Sequence, residues 1–308
     1  MTELRFNERV VVVTGAGRGL GAAYARAFAV HGAHVVVNDI DREAAEETAS
    51  TIDGALSLAC DVADPESAAE LVHNSIDAFG RLDIVVANAG SSWPVPFAVM
   101  STDDALTALR ANYLSTYEIV RAAWPRFVER QYGRVVTTAS GAIFGFAERA
   151  HYAAAKGAVL GLTNTLAIEG ATQGIQTNCV LPRARTRLAR PDSDAPEPES
   201  AASAVLWLTH HECTSNGGVF AVGGDGIRRI SLTSGPRVAL AESTIDAARI
   251  AFQHALPVHS STPTSRRRDD PTGSNRTTSS PPASAAVNHL SRDSSTSHAT
   301  ADSARYRQ

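Results

Sequence analysis

Val10-Val11-Val12-Val13-Thr14-Gly15-Ala16-Gly17-Arg18-Gly19-Leu20-Gly21 runs from a continuous apolar stretch into a glycine-rich turn. An unbroken β-branched run reads as a strand buried on both faces. The Ala-rich residues from Gly19 onward read as a helix. Gly15, Gly19 and Gly21 therefore stand where a strand passes into a helix, the context a dinucleotide loop requires. Glycine lets the backbone turn tightly and approach a ligand, while the free N–H groups of a helix N-terminus favour a phosphate. A tight connection with no ligand is the plain alternative. The spacing also departs from G-x-G-x-x-G, with three residues between the first two glycines.

Outward from this loop, short apolar runs alternate with Ala-rich stretches. Strands are expected over residues 9–14, 34–39, 55–60, 82–87, 133–140, 175–181 and 217–222. Helices are expected over 19–31, 42–52, 65–79, 102–130, 152–172 and 199–210. This alternation predicts an α/β fold, a single Rossmann-type doubly wound parallel sheet of seven strands with helices on both faces.

The second strand ends in Val37-Asn38-Asp39. An acid about 20 residues beyond the loop can bond the adenosine ribose hydroxyls and would repel a 2′-phosphate, which favours NAD over NADP. Arg18 is a counter-signal, since a base inside the loop can meet a 2′-phosphate. Asp39 could instead cap the next helix, a task Asp41 would serve equally well. Asp61-Val62 ends the third strand, where an Asp can accept a bond from the adenine amino group. Asn88-Ala89-Gly90 ends the fourth. All these residues fall at strand C-termini, where open α/β sheets bind ligands.

In His151-Tyr152-Ala153-Ala154-Ala155-Lys156 a phenol and an ammonium lie four residues apart, on one helix face. A nearby cation would lower the tyrosine pKa and suit it to proton exchange with an alcohol or carbonyl. Many solvated helix faces carry such a pair, and the glycine loop upstream is what gives it weight.

Taken in order, these residues resemble the short-chain dehydrogenase/reductase family, classical type, over residues 7–226. The pattern comprises Thr14 to Gly21, Asp61, Asn88-Ala89-Gly90, Asn112, Ser140, Tyr152, Lys156, Asn178-Cys179-Val180-Leu181-Pro182 and Gly217-Gly218. The resemblance implies a nicotinamide oxidoreductase with Tyr152 as general acid/base. It gives Lys156 the tasks of lowering the Tyr152 pKa and holding the nicotinamide ribose. Ser140 would donate to the substrate oxygen, and Asn112 would kink its helix and hold a water in a relay toward Lys156. Two departures stand out. Ser140 lies twelve residues before Tyr152 where the family has thirteen, leaving Thr138 as the fallback donor, and Arg183 replaces the usual Gly after Pro182. Thr186 falls where the family bonds the nicotinamide carboxamide.

Arg121-Ala122-Ala123-Trp124-Pro125, Leu166-Ala167-Ile168-Glu169-Gly170 and residues 205–224 resemble a narrower branch. This is the (3R)-hydroxyacyl-CoA dehydrogenase part of peroxisomal multifunctional enzyme type 2 and its bacterial stand-alone relatives. A 3-hydroxyacyl-CoA is the implied substrate. A 17β-hydroxysteroid or other secondary alcohol is the alternative, and a non-catalytic NAD-binding regulator a more distant one. The segment 187–198 is shorter than in that branch. Its Arg187 and Arg190, with Arg183 and Arg185, either contact CoA phosphates or form a solvated basic loop. Trp93, Pro94, Pro96 and Phe97 could wall the pocket or pack in the core, and His151 is either a spacer or a proton carrier. A homodimer or homotetramer built on helices 102–130 and 152–172 is implied by resemblance alone.

The chain has 308 residues, 44% hydrophobic, with net charge −4, so no general nucleic-acid affinity is expected. Cys60, Cys179 and Cys213 have no metal-ligand spacing, no metal is expected, and a reducing cytoplasm is the simple compartment. The N-terminus lacks a signal-peptide core, no apolar run spans a bilayer, and Tyr306-Arg307-Gln308 is not a peroxisomal tripeptide. The expected domains are a Rossmann domain over 1–230, an extension over 231–259 with one helix near 244–255, and a disordered Ser/Thr/Pro/Arg-rich tail over 260–308.

Overall fold

Seven short, mostly apolar runs form the strands β1 (Val10–Thr14), β2 (His34–Asp39), β3 (Leu56–Ala59), β4 (Ile84–Ala87), β5 (Gly133–Thr138), β6 (Ile175–Pro182) and β7 (Val219–Gly223). The computed structural model describes residues 4–186, 195–224, 226–240 and 242–255. The sheet runs β3-β2-β1-β4-β5-β6-β7, with every neighbouring pair parallel. Strand order reverses between β1 and β4, the switch point where such sheets bind ligands.

The expected count of seven needs correction. An eighth strand, β8 (Gly226–Ile230), pairs antiparallel with β7. The chain reverses at Gly223-Gly224, whose φ angles are +133° and +64°. Glycines before a short β run are a hairpin signal. The run itself has no buried pattern, because β8 is an edge strand with Ile227, Arg228 and Arg229 exposed.

Alternation along β1 sorts the core into two layers. Val11 and Val13 join Val35 and Val37 against α1 (Gly19–Val30), α2 (Arg42–Ser50) and α7 (Ala202–Thr209). Val10 and Val12 join Val36 on the opposite face, against α3 (Pro65–Phe79) and α5 (Ser115–Arg130). There Ile119, Ala123 and Phe127 recur at helical spacing and are fully buried. Removing a ring such as Phe127 from a core of this kind costs about 3–5 kcal/mol. The helix α6 (Ala150–Gly170) covers the C-terminal half of β5 and β6, with Val159 and Leu160 against Ala139, Cys179 and Leu181.

Residues 102–130 do not form one continuous helix. A capping box at Ser101 and Asp104 starts α4 (Thr102–Leu109), and a π-helical turn, Arg110–Leu114, separates it from α5. Asn112 lies in that turn, so the helix is irregular where the family pattern implies a kink. Beyond the sheet, α8 (Ile245–Ala255) forms where one helix was expected. Ala251 is its only buried residue, while Ile245 and Phe252 are exposed. The expected tail over 260–308 lies outside the described residues. No described helix is long and apolar enough to cross a membrane.

Candidate active site

The glycine loop is bolted to the end of β4. Thr14 Oγ1 accepts the N–H groups of Asn88 (3.0 Å) and Ala89 (3.1 Å). Asn88 Nδ2 donates to the carbonyls of Thr14 (3.0 Å) and Gly15 (3.1 Å). Gly15 has φ +60°, and a Cβ on it would lie 2.8 Å from the Ala89 Cα. Any side chain at this position would push the two strand ends apart. Arg18 precedes α1 in extended conformation without a side-chain cap, and no acid occupies the first turn of the helix. Its free N–H groups suit an anion. Thr186 closes over this end, with its Cγ2 3.5 Å from where a Gly19 Cβ would stand. Leu20 is half-buried behind Gly19.

Asp39 is fixed beside the loop. Its Oδ2 accepts the Gly17 N–H (2.9 Å) and its Oδ1 the Asp41 N–H (3.1 Å). The capping task belongs to Asp41, whose Oδ1 accepts the Ala44 N–H (3.1 Å) at the start of α2. Arg18 Nη1 donates to Asp41 Oδ2 at 2.7 Å. Asp61 accepts from Arg110 Nη2 (2.9 Å) and the Ala63 N–H (2.9 Å), so an adenine amino group would share that carboxylate with a guanidinium. Val62 is buried next to it.

Farther along the same edge, Ser140, Tyr152, Lys156 and Asn112 converge. The Ser140 side chain lies near enough to the Tyr152 phenol to pull its pKa down, and its Oγ accepts the Ala142 N–H (3.2 Å). Residues Gly141–Phe144 take up the shortened segment as a 3-10 turn capped by Ser140. Thr138, the fallback, holds Lys156 through its carbonyl, which accepts Lys156 Nζ at 2.8 Å, while its buried hydroxyl has no hydrogen-bond partner. Burial holds the Tyr152 phenol above its ordinary pKa, with the Ser140 hydroxyl partly offsetting this. That corrects the expected lowering by Lys156. The Lys156 ammonium is engaged by the Thr138 carbonyl and stands 5.9 Å from the tyrosine ring centroid. Burial also pushes Lys156 itself down to about 8. Gly90 faces the same group. A Cβ there would sit 2.5 Å from Asn112 Oδ1 and 3.3 Å from Lys156 Nζ, so only glycine permits the approach. Asn112 Nδ2 donates to the carbonyls of Ser91 and Ala108 (both 2.9 Å), while its buried Oδ1 has no hydrogen-bond partner. An orphaned buried acceptor this close to an ammonium suits a bridging water.

The remaining expected residues spread around this centre. Trp93 packs edge-on against His151 (centroids 4.7 Å), whereas Pro94, Pro96 and Phe97 are exposed and form no core. His151 is buried, neither ring nitrogen has a hydrogen-bond partner, and burial lowers its pKa against the pull of Asp104. Pro182 ends β6, and Arg185 pairs with Glu197. Arg187 and Arg190 lie outside the described residues. The sequence reading missed Thr138 as the anchor of Lys156, Ser91 as the anchor of Asn112, and Arg110 as the partner of Asp61. None of these carried a signal, since two act through backbone carbonyls and the third pairs with a residue 49 positions away.

The short chain dehydrogenase family model matches residues 9–194. The chain belongs to the short-chain dehydrogenases. It is 40% identical over 244 residues to the peroxisomal multifunctional enzyme type 2 of Mus musculus, covering 74% of this chain and 33% of that protein. The chain thus spans about a third of that relative. A short-chain type dehydrogenase/reductase of Mycobacterium tuberculosis is 38% identical over 245 residues, covering 73% of this chain and 85% of that protein. The crystal structure of a short chain dehydrogenase from Mycobacterium avium superposes with TM-score 0.73 at 30% identity, covering 82% of this chain and 96% of that one. Short-chain dehydrogenases are oxidoreductases acting on CH–OH groups with NAD(H) or NADP(H). The cleft of this short-chain dehydrogenase fits such a cofactor: an uncapped helix N-terminus, a loop with no room for side chains, and a fixed carboxylate at the end of β2. His210, His211 and Glu212 form a grouping whose ligand atoms come within 4.8 Å. His210 Nδ1, however, already accepts the Glu212 N–H, as at a self-closed helix end.

Proposed function

We propose that this chain is an NAD-dependent dehydrogenase that moves a hydride between nicotinamide and a secondary alcohol or ketone, with a 3-hydroxyacyl-CoA as substrate. The observation that carries the chemistry is Lys156, buried one helical turn from Tyr152 and bonded to the Thr138 carbonyl, with the unpartnered Asn112 Oδ1 nearby. In the oxidative direction Tyr152 takes the hydroxyl proton while Ser140 donates to the same substrate oxygen. Asn112 and Lys156 pass the proton away from the phenol through a water at Asn112 Oδ1. The nicotinamide, when bound, takes up or returns the hydride. Asp39 supports NAD, since its carboxylate would oppose a 2′-phosphate. Gly15, Arg18, Gly19, Leu20, Gly21, Asp39, Asp61, Val62, Asn88, Ala89, Gly90, Tyr152, Lys156, Pro182 and Thr186 are the proposed cofactor contacts.

The CoA thioester rests on the branch resemblance. A 17β-hydroxysteroid is the second reading, favoured by Phe97 (80% exposed) and Phe144 (58%) on the two loops that follow β4 and β5. Either apolar body would cover such side chains. NADH formation across (3R)- and (3S)-3-hydroxyacyl-CoA and 17β-hydroxysteroids separates these readings. Turnover of the (3R)-thioester is expected, and turnover of a steroid alone would overturn the substrate. The three free thiols support a reducing compartment such as the cytoplasm, and recovery of the chain in a membrane fraction would count against it.

A further inference from the structure

We propose that Asp41 is a specificity-determining residue: it holds Arg18 away from a 2′-phosphate, so the choice between NAD and NADP is set by Arg18 and Asp41 together with Asp39. This rests on the reading of Asp39 as the carboxylate at the adenosine ribose. Arg18 lies inside the glycine loop, with Asp39 among the charges around it. It follows Gly17, whose N–H is bonded to Asp39, and its side chain is 43% exposed at the mouth of the loop. A guanidinium in that place would ordinarily clasp a phosphate with two parallel N–H donors.

The geometry turns it elsewhere. Arg18 Nη1 meets Asp41 Oδ2 at 2.7 Å, and Asp41 is not free to follow Arg18 toward a ligand. Its other oxygen caps α2 through the Ala44 N–H, and its own N–H is held by Asp39 Oδ1. One carboxylate thus does two things: it starts the second helix and keeps the guanidinium ion-paired. Asp39 and Glu47 add negative charge around the same group. A 2′-phosphate would have to displace Asp41 from Arg18 while facing Asp39. An exposed ion pair is worth up to about fivefold in an equilibrium constant, which is enough to tilt a choice between two cofactors.

The test is direct binding of NADH and NADPH to the full chain, by nicotinamide fluorescence at one ionic strength. Wild type, Asp41→Asn and Asp41→Asn/Arg18→Ala are compared by the ratio of the two dissociation constants. Asn caps a helix about as well as Asp, so α2 should keep its start. A thermal melt checks this, with Asp41→Ser in reserve. In Asp41→Asn, the NADPH-to-NADH Kd ratio is expected to fall by about fivefold. It should return toward the wild-type value when Arg18 is also removed. An unchanged ratio in Asp41→Asn overturns the proposal, as does a fall that survives the loss of Arg18. Tighter binding of NADPH than NADH by the wild type would instead overturn the reading of Asp39 on which the proposal rests.

Discussion

Burial raises the Tyr152 phenol while the Ser140 hydroxyl lowers it, and the serine is the neighbour that substrate chemistry can use. Ser140→Ala should therefore reduce kcat by about a hundredfold or more, as loss of an oxyanion donor does. Thr138→Val should cost less than about tenfold, because Lys156 bonds the Thr138 backbone. Steady-state kinetics with the reverse order would mean that the register is wrong. Lys156 makes a second prediction. Its folded pKa of about 8 lies below the ordinary 10.5, so between these values the unfolded chain holds a proton the folded chain has lost. Stability therefore rises with pH across that window, and the full penalty, about 3 kcal/mol, is present below it. Denaturation curves at about pH 7.5 and about pH 9.5 should show the rise in wild type and lose it in Lys156→Met. An equal rise in both would contradict it. The Tyr152/Lys156 pair was legible because four-residue spacing fixes a helix face. The pKa directions were not, because they follow from how deeply the fold buries the two groups, which helix spacing alone does not show.

At the scale of elements, the seven parallel strands were legible in their short apolar runs, and the helices in their Ala-rich spacing. Two elements were not. The edge strand β8 has exposed side chains and hence no burial pattern to read, although Gly223-Gly224 marked the turn. The π turn at Arg110–Leu114 leaves the helical periodicity of 102–130 outwardly intact, and only the family pattern at Asn112 pointed to it. Helix faces also bear on assembly. Leu106 on α4 (58% exposed) and Ile168 on α6 (77%) leave apolar side chains in solvent on the two helices proposed to pair between copies. Light scattering should find wild type as a dimer or tetramer and Ile168→Arg as a smaller species. A monomeric wild type at micromolar concentration would end the pairing proposal.

Across the whole molecule, the proposed ligand-binding residues gather at the C-terminal ends of the parallel strands, on either side of the switch between β1 and β4. Two layers of apolar packing hold those ends in place, which is why Thr14, Asn88 and Thr138, all on strands or strand ends, do the positioning. The sequence revealed which chemistry gathers there. It left open which acid faces which base, because Arg18–Asp41 and Arg110–Asp61 close only when the strands are side by side. The most direct test of hydride transfer at this edge is the initial rate of NADH formation from a (3R)-3-hydroxyacyl-CoA, measured for wild type and Tyr152→Phe side by side. Turnover by wild type with NAD, reduced by at least about a hundredfold in Tyr152→Phe while NADH binding persists, is the predicted result. Equal rates in the two proteins, or turnover with NADP alone, would contradict the account.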